Sequence, residues 1–382
     1  MSEPLSIPEG AVTWAEVNLP AYRANLRAIQ TFVGPRVQIF AVVKANAYGH
    51  GLVPMARAAL QAGARRLVVH RLDEALQLRA SGIQAPILIL GYVPLAAARW
   101  VAQHRLTPTV ITLEFLEALS AHTPADAVSE VHINVDTGMG RYGLLPDEVV
   151  PFLRAAASIP RVRIEGIYTH FATADEADRT YMLQQWRVFQ DVLTAAEAAG
   201  VRPPVRHACN SAAIFALPEA HLDAVRPGIA TYGLRPSLDW ETPIALQPVL
   251  TWKARVARVR TLPPGHGIGY GRTYVTSKPT TVALVPVGYG DGYHRILSNK
   301  GQVLIHGQRA PVLGRVSMDQ IVVNVSHIPN VALEDEVVLL GQQGGEAISA
   351  EELAAWAQTI NYEVVTAILP RVPRIYLDEA AP

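Results

Sequence analysis

An apolar run that closes on a lysine is the first place in this chain where chemistry can be read. Ala41-Val42-Val43-Lys44 has the pattern of a β-strand end, and Ala45-Asn46-Ala47-Tyr48-Gly49-His50-Gly51 follows it. An amine there is half desolvated. Desolvation disfavours the ammonium form, lowers the lysine pKa and frees the amine to attack a carbonyl carbon. A lysine that snorkels to solvent is the competing reading. Asp136-Thr137-Gly138-Met139-Gly140-Arg141 sets an arginine fork beside glycines that let backbone approach a ligand, or it is a turn with a surface arginine. Tyr168-Thr169-His170 ends in a histidine, a residue that commonly just satisfies structural hydrogen bonds. His207-Ala208-Cys209-Asn210-Ser211 runs into a helix start, where Ser211 is an anion contact or an N-cap. Arg226-Pro227-Gly228-Ile229 offers backbone amides to a phosphate.

The elements that must position these residues alternate. β-branched runs at Val37–Lys44, Arg66–His70, Pro86–Leu90, Thr107–Ile111, Val131–Asp136, Arg163–Phe171, Val205–Asn210 and Ala224–Ile229 predict eight strands. Helical spacing lies between them, as at Val53–Ala64, Asp73–Arg79, Pro146–Ala157 and Arg179–Ala198. Eight such repeats predict an α/β fold, a (β/α)8 barrel over residues 12–245, with a doubly wound open sheet as the alternative. Each candidate residue then closes a barrel strand, the end at which barrels place their sites, and the loops after strands seven and eight commonly hold phosphate. A phosphorylated ligand beside a reactive lysine fits two chemistries, a Schiff-base aldolase of a sugar phosphate and a pyridoxal-phosphate enzyme.

The pattern changes near Leu246. Short β runs broken by glycine and proline follow, at Thr251–Arg260, Thr281–Val287, Val303–Ile305 and Gln320–Val325. Ser349 and Glu352 form a capping-box pattern ahead of a helix over Leu353–Ile360. A second, mostly β domain is expected over 246–382, with the strand-like Val12–Val17 leaving residues 1–17 able to join either domain.

The 382 residues are half hydrophobic, enough for two packed cores. Lysine plus arginine and aspartate plus glutamate both number 33, so no basic field favours nucleic acid. The single cysteine, Cys209, excludes an intramolecular disulfide and fits a reducing cytoplasm. The N-terminal residues lack a basic and an apolar region, so a secretory signal is not expected. No apolar stretch reaches the roughly 20 residues of a membrane span, since Pro94 and Arg99 break Ala85–Val101. No metal cluster is expected.

The Lys44 motif resembles the cofactor attachment segment of bacterial alanine racemases. Val135–Arg141, His207-x-x-Asn210-Ser211, Arg226–Ile229, Ile268-Gly269-Tyr270-Gly271, Gly288–Gly292, Arg315–Asp319, Asn361-Tyr362-Glu363 and Arg371–Arg374 resemble that family in the same order, over nearly the whole chain. The resemblance implies a homodimeric pyridoxal 5'-phosphate enzyme of fold type III that interconverts L- and D-alanine, supplying D-alanine for peptidoglycan. It implies that Lys44 holds the cofactor and serves the D-face of the substrate. Tyr270, from the partner subunit, serves the L-face. Arg226 faces the pyridine nitrogen. Ser211, Gly228, Ile229, Tyr362 and Tyr48 lie about the phosphate. Arg141 meets the cofactor phenolate and the substrate carboxylate. His170 and His207 extend a polar chain with Arg226 and Tyr270, and Met318, Tyr289 and Asp319 narrow the entrance.

Many relatives carry a carboxylated lysine where this chain has Asn134. A bound chloride between Asn134 and Arg141 is expected to supply the missing charge. A barrel-type amino-acid decarboxylase, a serine racemase and a non-catalytic cofactor-binding barrel are the other readings. The first suits an acidic partner at the ring nitrogen, where Arg226 is implied. An apolar pocket rejects the extra hydroxyl of serine only weakly. The last leaves Tyr270 and Met318 without a purpose.

Overall fold

The computed structural model describes residues 7–378, so the start of the segment 1–17 and the last residues of the expected 246–382 domain lie outside it. The chain divides into two compact units. One holds residues Tyr22–Ala47 and Leu52–Leu246; the other holds the segment up to Ala21, Tyr48–Gly51 and everything from Gln247.

The first unit is a parallel barrel. Its strands in chain order are Gln38–Val42, Arg66–Val69, Ile87–Ile89, Thr107–Pro108, Ser129–Asn134, Val162–Tyr168, Val205–His207 and Ala224–Val225. Around the ring they pair in the order four, three, two, one, eight, seven, six, five. A parallel bridge from Thr109 to His132 spans the remaining seam. The strands stop earlier than the apolar runs predict, because the last residues of each run leave the ladder and turn toward the barrel mouth. Burial drives the closure: Ala41, Leu67, Val68, Ile87, Leu88 and Ile133 are fully inaccessible, and each buried Leu, Ile or Val side chain contributes roughly 1.5–3 kcal/mol by leaving water. Local signals set the helices. Pro146 begins Pro146–Ala156, and the Glu148 carboxylate accepts the Leu145 N–H at 2.8 Å. Helix Thr180–Ala198 buries Met182, Trp186, Phe189, Val192, Leu193 and Ala196 at helical spacing.

The second unit is built mainly from strands. Its seven-stranded sheet runs Gln308–Pro311, Gln302–Ile305, Glu336–Gln343, Leu250–Arg255, Thr13–Asn18, Arg374–Leu377, with Glu346–Ile348 paired to Glu336–Gln343. The early strand Thr13–Asn18 therefore lies in this sheet, antiparallel to Leu250–Arg255 and parallel to Arg374–Leu377. The single strand expected over Thr251–Arg260 is two. Val256 N–H bonds to Asp335 and Ala257 N–H to Leu284, so the chain changes sheets there. Arg258–Leu262 then joins a three-stranded sheet with Thr280–Val285 and Ile321–Asn324. Ser349 caps helix Ala350–Ala357 by accepting the Glu352 N–H at 3.1 Å.

Candidate active site

Lys44 follows the first barrel strand directly, after Val42 and Val43. Burial lowers its pKa; the Arg141 charge lowers it further, and Glu74 partly opposes both. Ala45, Asn46, Ala47 and Tyr48 all lie in the left-handed region, at φ 54°, 53°, 53° and 52°. Non-glycine residues pay roughly 1–2 kcal/mol each there, so the turn needs outside support. Ala45 N–H donates to Glu74 Oε1 at 2.6 Å, Ala47 N–H to the Val43 carbonyl at 2.9 Å, and Leu52 N–H to Asn46 Oδ1 at 2.8 Å. Glu74 Oε2 also accepts the N–H groups of His70 and Arg71, at 2.9 and 3.0 Å. One carboxylate thus ties the Lys44 turn to the end of the second strand.

Asp136 does the same after the fifth strand. It accepts the N–H groups of Gly138, Gly140 and Arg141 at 3.0, 3.0 and 3.1 Å. Burial alone would raise its pKa, but these bonds lower it, and the ionised loop end presents Arg141. Asn134 donates to the Tyr142 carbonyl, while its own Oδ1 is buried without a partner.

Arg226, just beyond the eighth strand, is only 3% exposed. Among the described residues no carboxylate pairs with it or with Arg141. Its guanidinium donates instead to the carbonyls of Thr169 and Ala208 at 2.7 and 2.9 Å and to His207 Nδ1 at 2.6 Å, with His170 Nδ1 at 3.4 Å. Burial brings its pKa down to about 10, so it stays a cation at neutral pH. Ser211 is not the cap of helix Ser211–Ala216; Asn210 is, accepting the Ala213 N–H at 2.9 Å. Ser211 Oγ accepts the Gly228 N–H at 2.8 Å, which leaves its own proton to donate. Lys44, Arg141, Arg226 and Ser211 therefore offer several positive or donating groups with few anions among them. The donor set fits an aldehyde bearing a phosphate and a ring nitrogen.

His170, His207 and His132, which lies in the fifth barrel strand, are neutral bases. Burial lowers His170 and His207 well below the ordinary value, with Arg226 adding to it, and lowers His132 to about 4. Below pH ~6.5 the unfolded chain takes up protons on them that the folded protein refuses. Stability is therefore full above pH ~6.5 and falls as the pH drops toward 4, by up to roughly 1.4 kcal/mol per pH unit for each histidine. Chemical denaturation at pH 7.5, 6 and 5 tests this; an unfolding free energy flat across that range refutes it.

The other expected residues belong to the β unit. Tyr270 stands between Gly267–Ile268 and Tyr274–Val275, a two-stranded ribbon, and is 71% exposed. Gly269 before it has φ 69°, and a Cβ there would meet the Arg315 backbone nitrogen at 3.2 Å, so the turn requires glycine. Tyr289 and Met318 sit on paired segments: Tyr289 N–H donates to the Ser317 carbonyl at 3.1 Å and Gly290 N–H to that of Met318 at 2.8 Å. Arg371 clamps these segments by pairing with Asp291 and Asp319, both at 2.9 Å. The rings of Tyr48 and Tyr362 lie 6.2 Å apart.

Family models described as "Alanine racemase, N-terminal domain" and "Alanine racemase, C-terminal domain" match residues 17–236 and 249–376. The chain belongs to the alanine racemase family. It is 48% identical over 366 residues to the alanine racemase of Desulfovibrio desulfuricans, across 96% of this chain and 98% of that protein. It is 49% identical over 370 residues to that of Symbiobacterium thermophilum, across 97% of this chain and 98% of that protein. The crystal structure of alanine racemase from Bacillus anthracis with bound L-Ala-P superposes with a TM-score of 0.91 at 42% identity, over 97% of this chain and 96% of that one. Alanine racemase from Bartonella henselae with covalently bound pyridoxal phosphate gives a TM-score of 0.85 at 32% identity, over 96% of this chain and 100% of that one. Alanine racemase likeness thus extends through both units. Sequence reasoning missed four residues that support the site in this family member: Glu74, Arg66, His132 and Glu165.

Proposed function

We propose that this protein is an alanine racemase that interconverts L- and D-alanine with pyridoxal phosphate and so supplies D-alanine for peptidoglycan. The observation that carries it is Arg226, a buried cation where an amino-acid decarboxylase would use an acid. When bound, pyridoxal phosphate supplies the electron sink that lets an amino acid release its α-proton. The residues of the chain do the rest. Lys44 anchors the cofactor through its desolvated amine and moves a proton on one face of the substrate carbon. Tyr270 moves a proton on the other face, since a single carrier would tend to return the proton to the side it left. Arg226 donates at the ring nitrogen and keeps its own proton, because a guanidinium releases one only with difficulty. Ser211, Gly228 and Ile229 would hold the phosphate. Arg141 orients the substrate carboxylate by its bidentate fork. His170 and His207 hold Arg226.

A homodimer with shared sites fits the side chains left on the surface: Tyr270 is 71%, Met318 53% and Tyr289 40% exposed. In that assembly the partner's Tyr270 would serve the Lys44 of this chain, with Met318, Tyr289 and Asp319 narrowing its entrance. No helix among the described residues is long and apolar enough to cross a membrane. A cytoplasmic setting suits the single buried thiol of Cys209.

Purified protein loaded with pyridoxal phosphate and given L-alanine in D2O should form D-alanine carrying deuterium at Cα. Release of carbon dioxide, or no reaction at all, overturns the reading. L-serine in the same assay gauges the pocket.

Chloride near Asn134 and Arg141 is part of this reading. Among the described residues no carboxylate pairs with Arg141, and the Asn134 amide keeps one N–H beyond the one spent on Tyr142. Replacing chloride by gluconate should raise the KM for alanine several-fold, as expected when an oriented carboxylate contact loosens. Bromide should bind in its place and be visible by anomalous scattering. A bromide-free map with unchanged KM counts against it.

A further inference from the structure

A chain of hydrogen bonds, buried from Arg226 to His132 and part-buried at Glu165, leads away from Arg226 toward the other end of the barrel. Arg226 Nη1 lies 2.6 Å from His207 Nδ1. His207 Nε2 lies 2.9 Å from His132 Nδ1, and His132 Nε2 lies 3.1 Å from Glu165 Oε2. Arg66, at the start of the second strand, donates to both oxygens of Glu165 at 2.8 and 2.7 Å. Neither His132 nor His207 has any solvent exposure.

The proton positions follow from the far end. Glu165 is paired with a guanidinium and can only accept. His132 must then carry its proton on Nε2. A neutral imidazole has one N–H, so His132 Nδ1 is bare and accepts from His207 Nε2. His207 Nδ1 is bare in turn, and Arg226, which can only donate, meets an acceptor. With the opposite tautomers, His207 would point an N–H at a guanidinium N–H. We propose that Glu165 is a positioning residue for Arg226: through His132 and His207 its carboxylate fixes the tautomer that holds Arg226 as a donor. The relevance to catalysis rests on the racemase reading above.

Packing and charge both support the chain. A Cβ on Gly166 would meet the His132 ring at 2.4 Å, so glycine at 166 makes the room for that imidazole. Tyr168 stacks on His207 with ring centroids 4.7 Å apart and planes 12° apart. Burial alone would raise the Glu165 carboxyl, but the His132 bond and the Arg66 charge bring it down to about 2. Burial also keeps both histidines neutral, so each has a single proton to place.

The test uses two double variants, because removing one member of this largely buried pair leaves an uncompensated charge. R66M/E165L removes the pair and the acceptor. R66M/E165Q removes the charges but keeps a carbonyl that can accept from His132. Nitrogen-15 spectra of histidine-labelled holoenzyme report the tautomers. In the natural protein and in R66M/E165Q, His207 Nδ1 should be unprotonated. In R66M/E165L nothing at the far end holds that tautomer, so a population with His207 Nδ1 protonated should appear, and kcat should fall about 10–100-fold with KM little changed. A merely structural ion pair would lower thermal stability alike in both doubles and leave the tautomer and kcat per folded site unaltered; that result overturns the proposal. So does a protonated His207 Nδ1 in the natural protein, whether or not the variants fold. Absence of racemisation in the natural protein would defeat the racemase reading while leaving the tautomer measurement free to stand.

Discussion

Replacing Tyr270 by phenylalanine is expected to lower racemisation by about 10³-fold, within the usual range for losing a positioned proton carrier. The ring is kept, and the Gly269 turn that presents it is untouched, so folding and cofactor colour should not change. The loss is one-sided. Lys44 still moves a proton on its own face. One enantiomer of alanine should therefore continue to exchange its α-hydrogen with D2O while conversion to the other nearly stops. The variant also reports where the tyrosine comes from. If the partner subunit supplies it, mixing inactive Tyr270→Phe chains with inactive Lys44→Ala chains restores activity. Random reassortment in a two-fold dimer makes half the molecules hybrids with one intact site each, so about a quarter of the natural activity should return. No recovery, with hybrids shown to form, would place both residues in one chain. Racemisation undiminished in Tyr270→Phe would remove the two-sided mechanism.

Much of this was legible because its signals are local. Strand and helix alternation gave the barrel. An apolar run closing on Lys44 and the order of the later motifs pointed to the family and to the residues proposed as its carriers. Strand lengths were less legible, since hydrophobicity continues past the ladder: Val43 and Ala208 are buried in the loops at the strand ends, and Ile229 at the start of a short 3-10 helix, rather than in the strands. The run over Thr251–Arg260 hid a change of sheet because both halves are β-prone and nothing in their pattern names a partner strand. The supporting residues were hidden for a different reason. Glu74 reads as an ordinary acid in the first turn of helix Leu72–Ala80, yet its oxygens hold the backbone of two separate strand ends. Arg66, His132 and Glu165 come from three strands, and only barrel closure brings them together. A charged Glu165 within a barrel strand, followed by Gly166, was the one available hint. A half-buried carboxylate calls for a partner that spacing alone cannot name.

Lys44→Ala is expected to abolish racemisation, with a loss of at least about 10³-fold, and to release the cofactor on gel filtration. The fold should not suffer. The Lys44 amine is half-buried and faces the like charge of Arg141, opposed only in part by Glu74, so its removal relieves desolvation and repulsion together. An unfolding midpoint no lower than that of the natural protein is the expected control. Lys44→Arg separates charge from nucleophilicity. It restores a cation at the barrel mouth, but a guanidinium keeps its proton at neutral pH and cannot take the aldehyde. It should be as inactive as Lys44→Ala. Borohydride treatment of the natural holoenzyme should fix the cofactor to one peptide, the one containing Lys44, and should fix nothing in either variant. Attachment at a different lysine, or a variant that still racemises alanine, would show that the desolvated amine at the end of the first barrel strand is not the anchor.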